Sequence, residues 1–108
     1  MDKKLHYTIT DVRCALEAMG ITIGKVVLFG SHVKGTADEY SDIDIAVISD
    51  DFKGMNLFER LEFIGTALAK AKILEPVEIR PYTEDEFGSE EEGSFTADEI
   101  KARGVEIQ

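Results

Sequence analysis

The stretch Phe29-Gly30-Ser31-His32-Val33-Lys34-Gly35-Thr36-Ala37-Asp38-Glu39-Tyr40-Ser41-Asp42-Ile43-Asp44 joins two strand-like runs through a short polar connection. Before it, Lys25-Val26-Val27-Leu28-Phe29 is β-branched and apolar and is halted by Gly30, the pattern of a buried strand. After it, Asp42 and Asp44 share one side of an extended chain while Ile43, Ile45 and Val47 share the other, and the run closes in Ala46, Val47 and Ile48. This is a second strand with carboxylates at its entry. A P-loop has the Gly30 to Gly35 spacing, but it requires Lys and then Ser or Thr after the second glycine, and here Thr36 follows Gly35 directly. An EF-hand fails as well, because Asp42-Ile43-Asp44 runs into apolar residues with no Gly or closing Glu in register.

Outside this segment the sequence alternates helix and strand. Ile9, Val12, Leu16 and Met19 recur at helical spacing, which predicts a helix over Thr8 to Met19, with Thr8 and Asp11 as a capping box and Gly20 closing it. Cys14 falls on or beside that apolar face and reads as a structural thiol, and His6 reads as exposed. Asn56 and Glu59 cap a second helix whose apolar residues are Leu57, Leu61, Ile64 and Leu68, ending near Lys70 and Lys72 before Pro76. Val77-Glu78-Ile79, between two prolines, reads as a short strand near an edge. From Glu84 to Glu99 there are eight acids and no base, which predicts a solvated loop. Thr96 with Glu99 opens a last short helix ended by Gly104, and Val105 to Gln108 adds a strand. The order is too compact for a doubly wound sheet; the expected fold is α/β of the α+β kind, with a mixed sheet of three or more strands flanked by helices.

Composition limits the function. With 108 residues, the chain is expected to be one domain over 1–108. Its 12 basic against 22 acidic side chains give a formal charge of -10, which argues against a nucleic-acid surface, since phosphate-backbone binders need a basic stripe. A single cysteine excludes internal disulfides and multi-thiolate metal sites and fits a reducing compartment. No stretch nears the roughly 20 apolar residues of a membrane span, and no signal-type apolar run follows Met1 to Tyr7. The expectation is a cytoplasmic protein.

The chemistry that fits is a metal site beside a phosphate cradle. Gly30 lets the backbone turn sharply and bring its amides close to an anion, and Ser31 adds a hydroxyl donor. A short helix starting there would aim its N-terminus at a phosphate. Two carboxylates two residues apart on a strand, about 6.5 to 7 Å along the backbone, can converge on a hard cation. Mg²⁺ favours such sites, in which a few carboxylates are completed by water and phosphate oxygens.

Gly30-Ser31, ten intervening residues and Asp42-Ile43-Asp44 resemble the signature of the DNA polymerase beta-type nucleotidyltransferases. The small size and the Gly-Ser-x3-Gly-x6-Asp-Ile-Asp-Ile form are similar to the minimal nucleotidyltransferase branch, the MntA-like antitoxins. The resemblance implies that Gly30, Ser31 and Lys34 hold a nucleoside triphosphate, most simply ATP. It also implies that Asp42, Asp44 and a third carboxylate hold two Mg²⁺ ions and are catalytic. Glu78, between apolar Val77 and Ile79, matches the third position, where the family more often has Asp; Glu75 is the rival. His32 stands where these proteins often carry Arg. The implied activity is Mg²⁺-dependent transfer of AMP to a hydroxyl of a protein, the implied partner a HEPN-domain toxin, with a homo-oligomer left open. A non-catalytic module that neutralises a partner by contact, and a small-molecule nucleotidyltransferase, are the alternatives.

Overall fold

The computed structural model describes residues 3–37, 41–88 and 104–107. Its centre is the pair of strands read from the sequence, β1 (Lys25–Phe29) and β2 (Ile43–Ile48), which run antiparallel with Phe29 opposite Asp44 and Lys25 opposite Ile48. The short helix α2 (Ser31–Lys34) follows β1, and Gly35 ends it in the left-handed conformation, φ 79. A 3-10 turn over Asp50–Phe52 follows β2; it is capped by Ser49, whose hydroxyl accepts from the Asp51 amide and donates to the Thr22 carbonyl. Helix α3 (Leu57–Lys70) then carries the chain back, so that β3 (Val77–Tyr82) joins β2 in parallel, Asp44 opposite Glu78. Strand β4 (Val105–Ile107) pairs antiparallel with the other edge of β1, giving the order β3-β2-β1-β4.

Period-2 alternation sorts the strands into two faces. Val26, Leu28, Ile43, Ile45, Val47 and Ile79 point to one side and pack beneath α1 (Lys3–Ala18) and α3. The other face carries a small second cluster, Val27, Phe29, Ala46 and Ile48, covered by Tyr82 and by Phe87 of the five-residue helix α4 (Glu84–Gly88). Asp44 and Glu78 lie in register on this side of the sheet, away from α1 and α3.

Five sequence expectations are corrected. Strand β3 does not stop at Ile79 but runs through Pro81 to Tyr82, because the proline nitrogen faces away from β2. Helix α1 starts five residues before the predicted cap, because Leu5 extends the apolar stripe to Ile9 and Val12, and Thr8 is buried within the helix instead of capping it. Cys14 is exposed. Helix α3 has the predicted Asn56–Glu59 capping box, at 2.8 and 2.9 Å, but its inward residues are Arg60, Ile64 and Ala67, while Leu57 and Leu61 are exposed. Glu84–Gly88 is helical and not loop: Thr83 and Glu86 cap it reciprocally, the Glu86 amide donating to Thr83 Oγ1 and the Thr83 amide to Glu86 Oε1. The predicted helix from Thr96, the acidic run Glu90-Glu91-Glu92 and Tyr40 lie outside the described residues.

A buried guanidinium ties this end together. Arg60 holds Glu86 through both its terminal nitrogens, at 2.6 and 2.9 Å, donates to the Met55 carbonyl at 2.9 Å, and lies over the ring of Phe52. Its hydrogen bonds hold the Glu86 carboxyl below its ordinary range, against a smaller opposing effect of burial.

Candidate functional site

Three adjacent strands contribute to one spot. Phe29, the last residue of β1, is opposite Asp44, and Asp44 is opposite Glu78. Gly30 therefore leaves β1 directly beside the Asp44 carboxylate. Its φ of 77 and ψ of -151 are a conformation that only glycine adopts readily. A β-carbon built there would lie 3.0 Å from Asp44 Cγ and closer still to Oδ2, so the absence of a side chain is what lets the turn and the carboxylate share the space. The Gly30 carbonyl accepts from the amides of Val33 and Lys34, both at 3.1 Å, which closes α2 immediately after the turn.

Asp44 is half-buried, and its carboxyl is raised to about 6. Desolvation is the first cause, followed by the hydrogen bond and the charge of Glu78 and then the charge of Asp42; Arg80 acts in the opposite direction. Asp44 and Glu78 are thus a contacting carboxyl pair, and Asp42 adds negative charge from the residue before β2. Glu78 is exposed and pairs with Arg80 at 3.2 Å, two residues along the same strand face. Among the described residues no group of three His, Cys, Asp or Glu side chains is drawn into a ready-made metal cage. The pair with Asp42 beside it still has the donor chemistry of a hard-cation site: carboxylate oxygens only, with Asp42 and Glu78 exposed to water.

The remaining predicted residues sit on α2. Ser31 is its first residue and half-buried, and Lys34 is exposed at its end. His32, between them, has an Nε2 shielded from solvent and, among the described residues, no hydrogen-bond partner for it, a polar atom that an anion would satisfy. Glu75, the rival to Glu78, precedes β3 and is outside the register that pairs with Asp44. Arg80 had escaped the sequence reading; its signal was the two-residue offset from Glu78 that puts both on one face of an extended chain.

A glycine turn leading into a short helix thus stands beside acidic residues on a central strand of a mixed sheet, in an α+β domain. The chain belongs to the nucleotidyltransferase domain family, whose model matches residues 9–104. Over 51 residues it is 39% identical to MJ1305 of Methanocaldococcus jannaschii, a provisionally named protein adenylyltransferase; the match spans 45% of this chain and 35% of that relative's length. The fold is shared with a provisionally named nucleotidyltransferase from Sulfolobus solfataricus, with a TM-score of 0.67 at 20% identity, covering 95% of this chain and 78% of the other. It is shared also with a toxin-antitoxin crystallised with AMP-PNP, with a TM-score of 0.61 at 19% identity, covering 92% and 71%. Among the described residues no helix is long and apolar enough to cross a membrane.

Proposed function

We propose that this domain, acting as a single unit over residues 1–108, transfers AMP from ATP to a hydroxyl of a protein partner in the cytoplasm. The reading is carried by the register that brings Gly30, Asp44 and Glu78 side by side across β1, β2 and β3. The MJ1305 relative supports adenylyl transfer, and the toxin-antitoxin neighbour supports a toxin, of the HEPN kind by the family resemblance, as the partner.

The roles divide along the strands. Gly30 and the amides beyond it hold the triphosphate, Ser31 adds a hydroxyl donor, and Lys34 adds a positive charge near it. Asp42 and Asp44 hold Mg²⁺, and Glu78 completes the set on the side where the acceptor enters. These carboxylates would hold Mg²⁺ (two ions by the family resemblance), which would supply a lowered pKa for the attacking hydroxyl and charge neutralisation for the leaving phosphates. The contribution of the chain is alignment: substrate oxygens are held in line, and charge is balanced by fixed groups.

Two substitutions test these roles. Ser31→Ala is expected to weaken ATP binding by about 1.5 to 3 kcal/mol, roughly 10- to 150-fold, with unchanged folding; equal affinity, measured by calorimetry, would remove the hydroxyl from the cradle. Glu78→Gln is expected to abolish AMP transfer while leaving most of the ATP affinity, and Glu78→Asp to keep activity, as read with α-labelled ATP, Mg²⁺ and the partner. The Glu78–Arg80 ion pair favours one competing reading, a module that neutralises its partner by contact alone. Full neutralisation by wild type without label transfer would establish that reading instead.

A further inference from the structure

Strand β3 is an outer strand: among the described residues no strand pairs with its free edge, and the one side chain bonded to it is Arg60, whose Nη1 donates to the Pro81 carbonyl at 3.4 Å. The bonds to β2 determine what that edge offers. The Ile43 amide donates to the Pro76 carbonyl and the Ser49 amide to the Tyr82 carbonyl, so the even-numbered residues of β3 turn their backbone groups inward. Val77, Ile79 and Pro81 turn theirs outward. Pro81 lacks an amide hydrogen on that outer side, which is where strands tolerate proline. Beside the edge runs a groove of about 390 Å³ between α3 and β3, walled by Leu57, Leu61, Gly65 and Leu68. Leu57 is 61% and Leu61 46% exposed, and a β-carbon on Gly65 would meet nothing within 4 Å.

We infer that a second copy of this chain occupies this edge, with β3 pairing antiparallel to the partner's β3 about a two-fold axis at Ile79. In that register β3 is complementary to itself. Glu78 stands opposite the partner's Arg80, and Arg80 opposite the partner's Glu78, the arrangement that stabilises cross-strand pairs. An axis moved to 78 or 80 sets like charge against like, so the charges select one register. Ile79 and the partner's Ile79 exchange both main-chain bonds, and the Val77 amide donates to the second lone pair of the partner's Pro81 carbonyl, which in each copy already accepts from Arg60 Nη1; the hydrogen that Pro81 lacks is forfeited. The same axis brings α3 against its counterpart, covering Leu57 and Leu61, and Gly65 leaves room for the approach. The contact is isologous and closes at two copies. Each candidate site then gains the partner's Arg80 beside Glu78. The inference does not depend on nucleotidyl transfer.

Sedimentation equilibrium of the whole chain tests it. Wild type is expected at about twice its 12.0 kDa. Arg80→Glu, which sets Glu against Glu, and Leu61→Lys, which charges the helix side, are expected as monomers with unaltered circular dichroism. The charge-swapped Glu78→Arg/Arg80→Glu chain is expected to regain the dimer. If Arg80→Glu does not fold, register is read by cross-linking: Glu78→Cys and Arg80→Cys chains, each also Cys14→Ser, are mixed with oxidised glutathione. Disulfides between the two kinds are expected to exceed those within either kind. Wild type that stays monomeric up to its solubility limit, or that pairs only with a strand of a different protein, overturns the inference. So does a dimer indifferent to these changes, or a cross-linking pattern without preference for the mixed pair.

Discussion

Asp44→Asn is expected to lower AMP transfer by on the order of 10³-fold while raising the thermal midpoint of the ligand-free chain. The loss follows from its central place between Gly30 and Glu78: without the charge, the cation that supplies several kcal/mol of stabilisation to the reacting phosphate is no longer held. The gain in stability follows from the same surroundings. Desolvation, Glu78 and Asp42 raise the Asp44 carboxyl from 3.8 to about 6. A folded-state value above the unfolded one means that the ligand-free fold loses stability as pH rises through that interval, with the full penalty present at neutrality. Asn carries no such penalty. The benefit of the substitution is therefore expected at neutral pH and should vanish in acid, below the unfolded value. Thermal unfolding with and without Mg²⁺ and ATP, beside a transfer assay, checks both halves. A variant that keeps the full metal-dependent shift would place the cation elsewhere.

Arg60→Met is expected to cost about 2 to 3 kcal/mol, a fall in midpoint of roughly 10 °C or more. Arg60 is 8% exposed, and its guanidinium joins α3 to the Met55 carbonyl, to Phe52 and, by two bonds, to Glu86 of α4. Methionine fills much of the volume but leaves those acceptors without their donor. The Glu86 carboxylate, partly exposed, is re-solvated, which holds the cost below that of breaking a fully buried pair. Because the Glu86 carboxyl is lowered in the fold, its contribution is present above its unfolded value and is lost as pH falls through the folded one. The gap between wild type and Arg60→Met should thus narrow on acidification. A gap constant from neutral pH into acid would show that Arg60 acts through packing alone.

What the sequence disclosed was local. Two strands with alternating faces, a turn that needs glycine, and an Asn56–Glu59 cap are each written within a few residues, and each appears in the fold. The misreadings of α3 and β3 involve neighbours far apart in the chain, whereas the Thr83–Glu86 cap of α4 was local and was hidden inside an acidic run. The inward face of α3 was drawn through Leu57 and Leu61, because a buried arginine is improbable until Glu86, 26 positions later, is known to face it. Likewise β3 was stopped at Ile79 by Pro81, although proline is compatible with a strand whose neighbour lies on the opposite side. The candidate site was legible for the same reason that the first strands were: Gly30, Ser31, Asp42 and Asp44 sit within one short segment. Glu78 was found only by its place between two apolar residues, and the contact it makes with Asp44 depends on a parallel pairing that no local pattern reveals.

That parallel pairing also bears on how the molecule assembles. Phe29 and Asp44 meet across an antiparallel pair closed by a short connection, whereas Glu78 reaches Asp44 only after α3 has carried the chain across the sheet. Ordering a long connection before it is rewarded makes such contacts late events in folding. On that ground carboxylate is expected to meet carboxylate in the last stage, once the apolar face beneath α1 and α3 can hold them together. A cation or nucleotide that recognises all three strands has little to grip before that stage. Its influence falls on the lifetime of the finished fold, by slowing the unfolding step, and not on the speed with which the chain first reaches it.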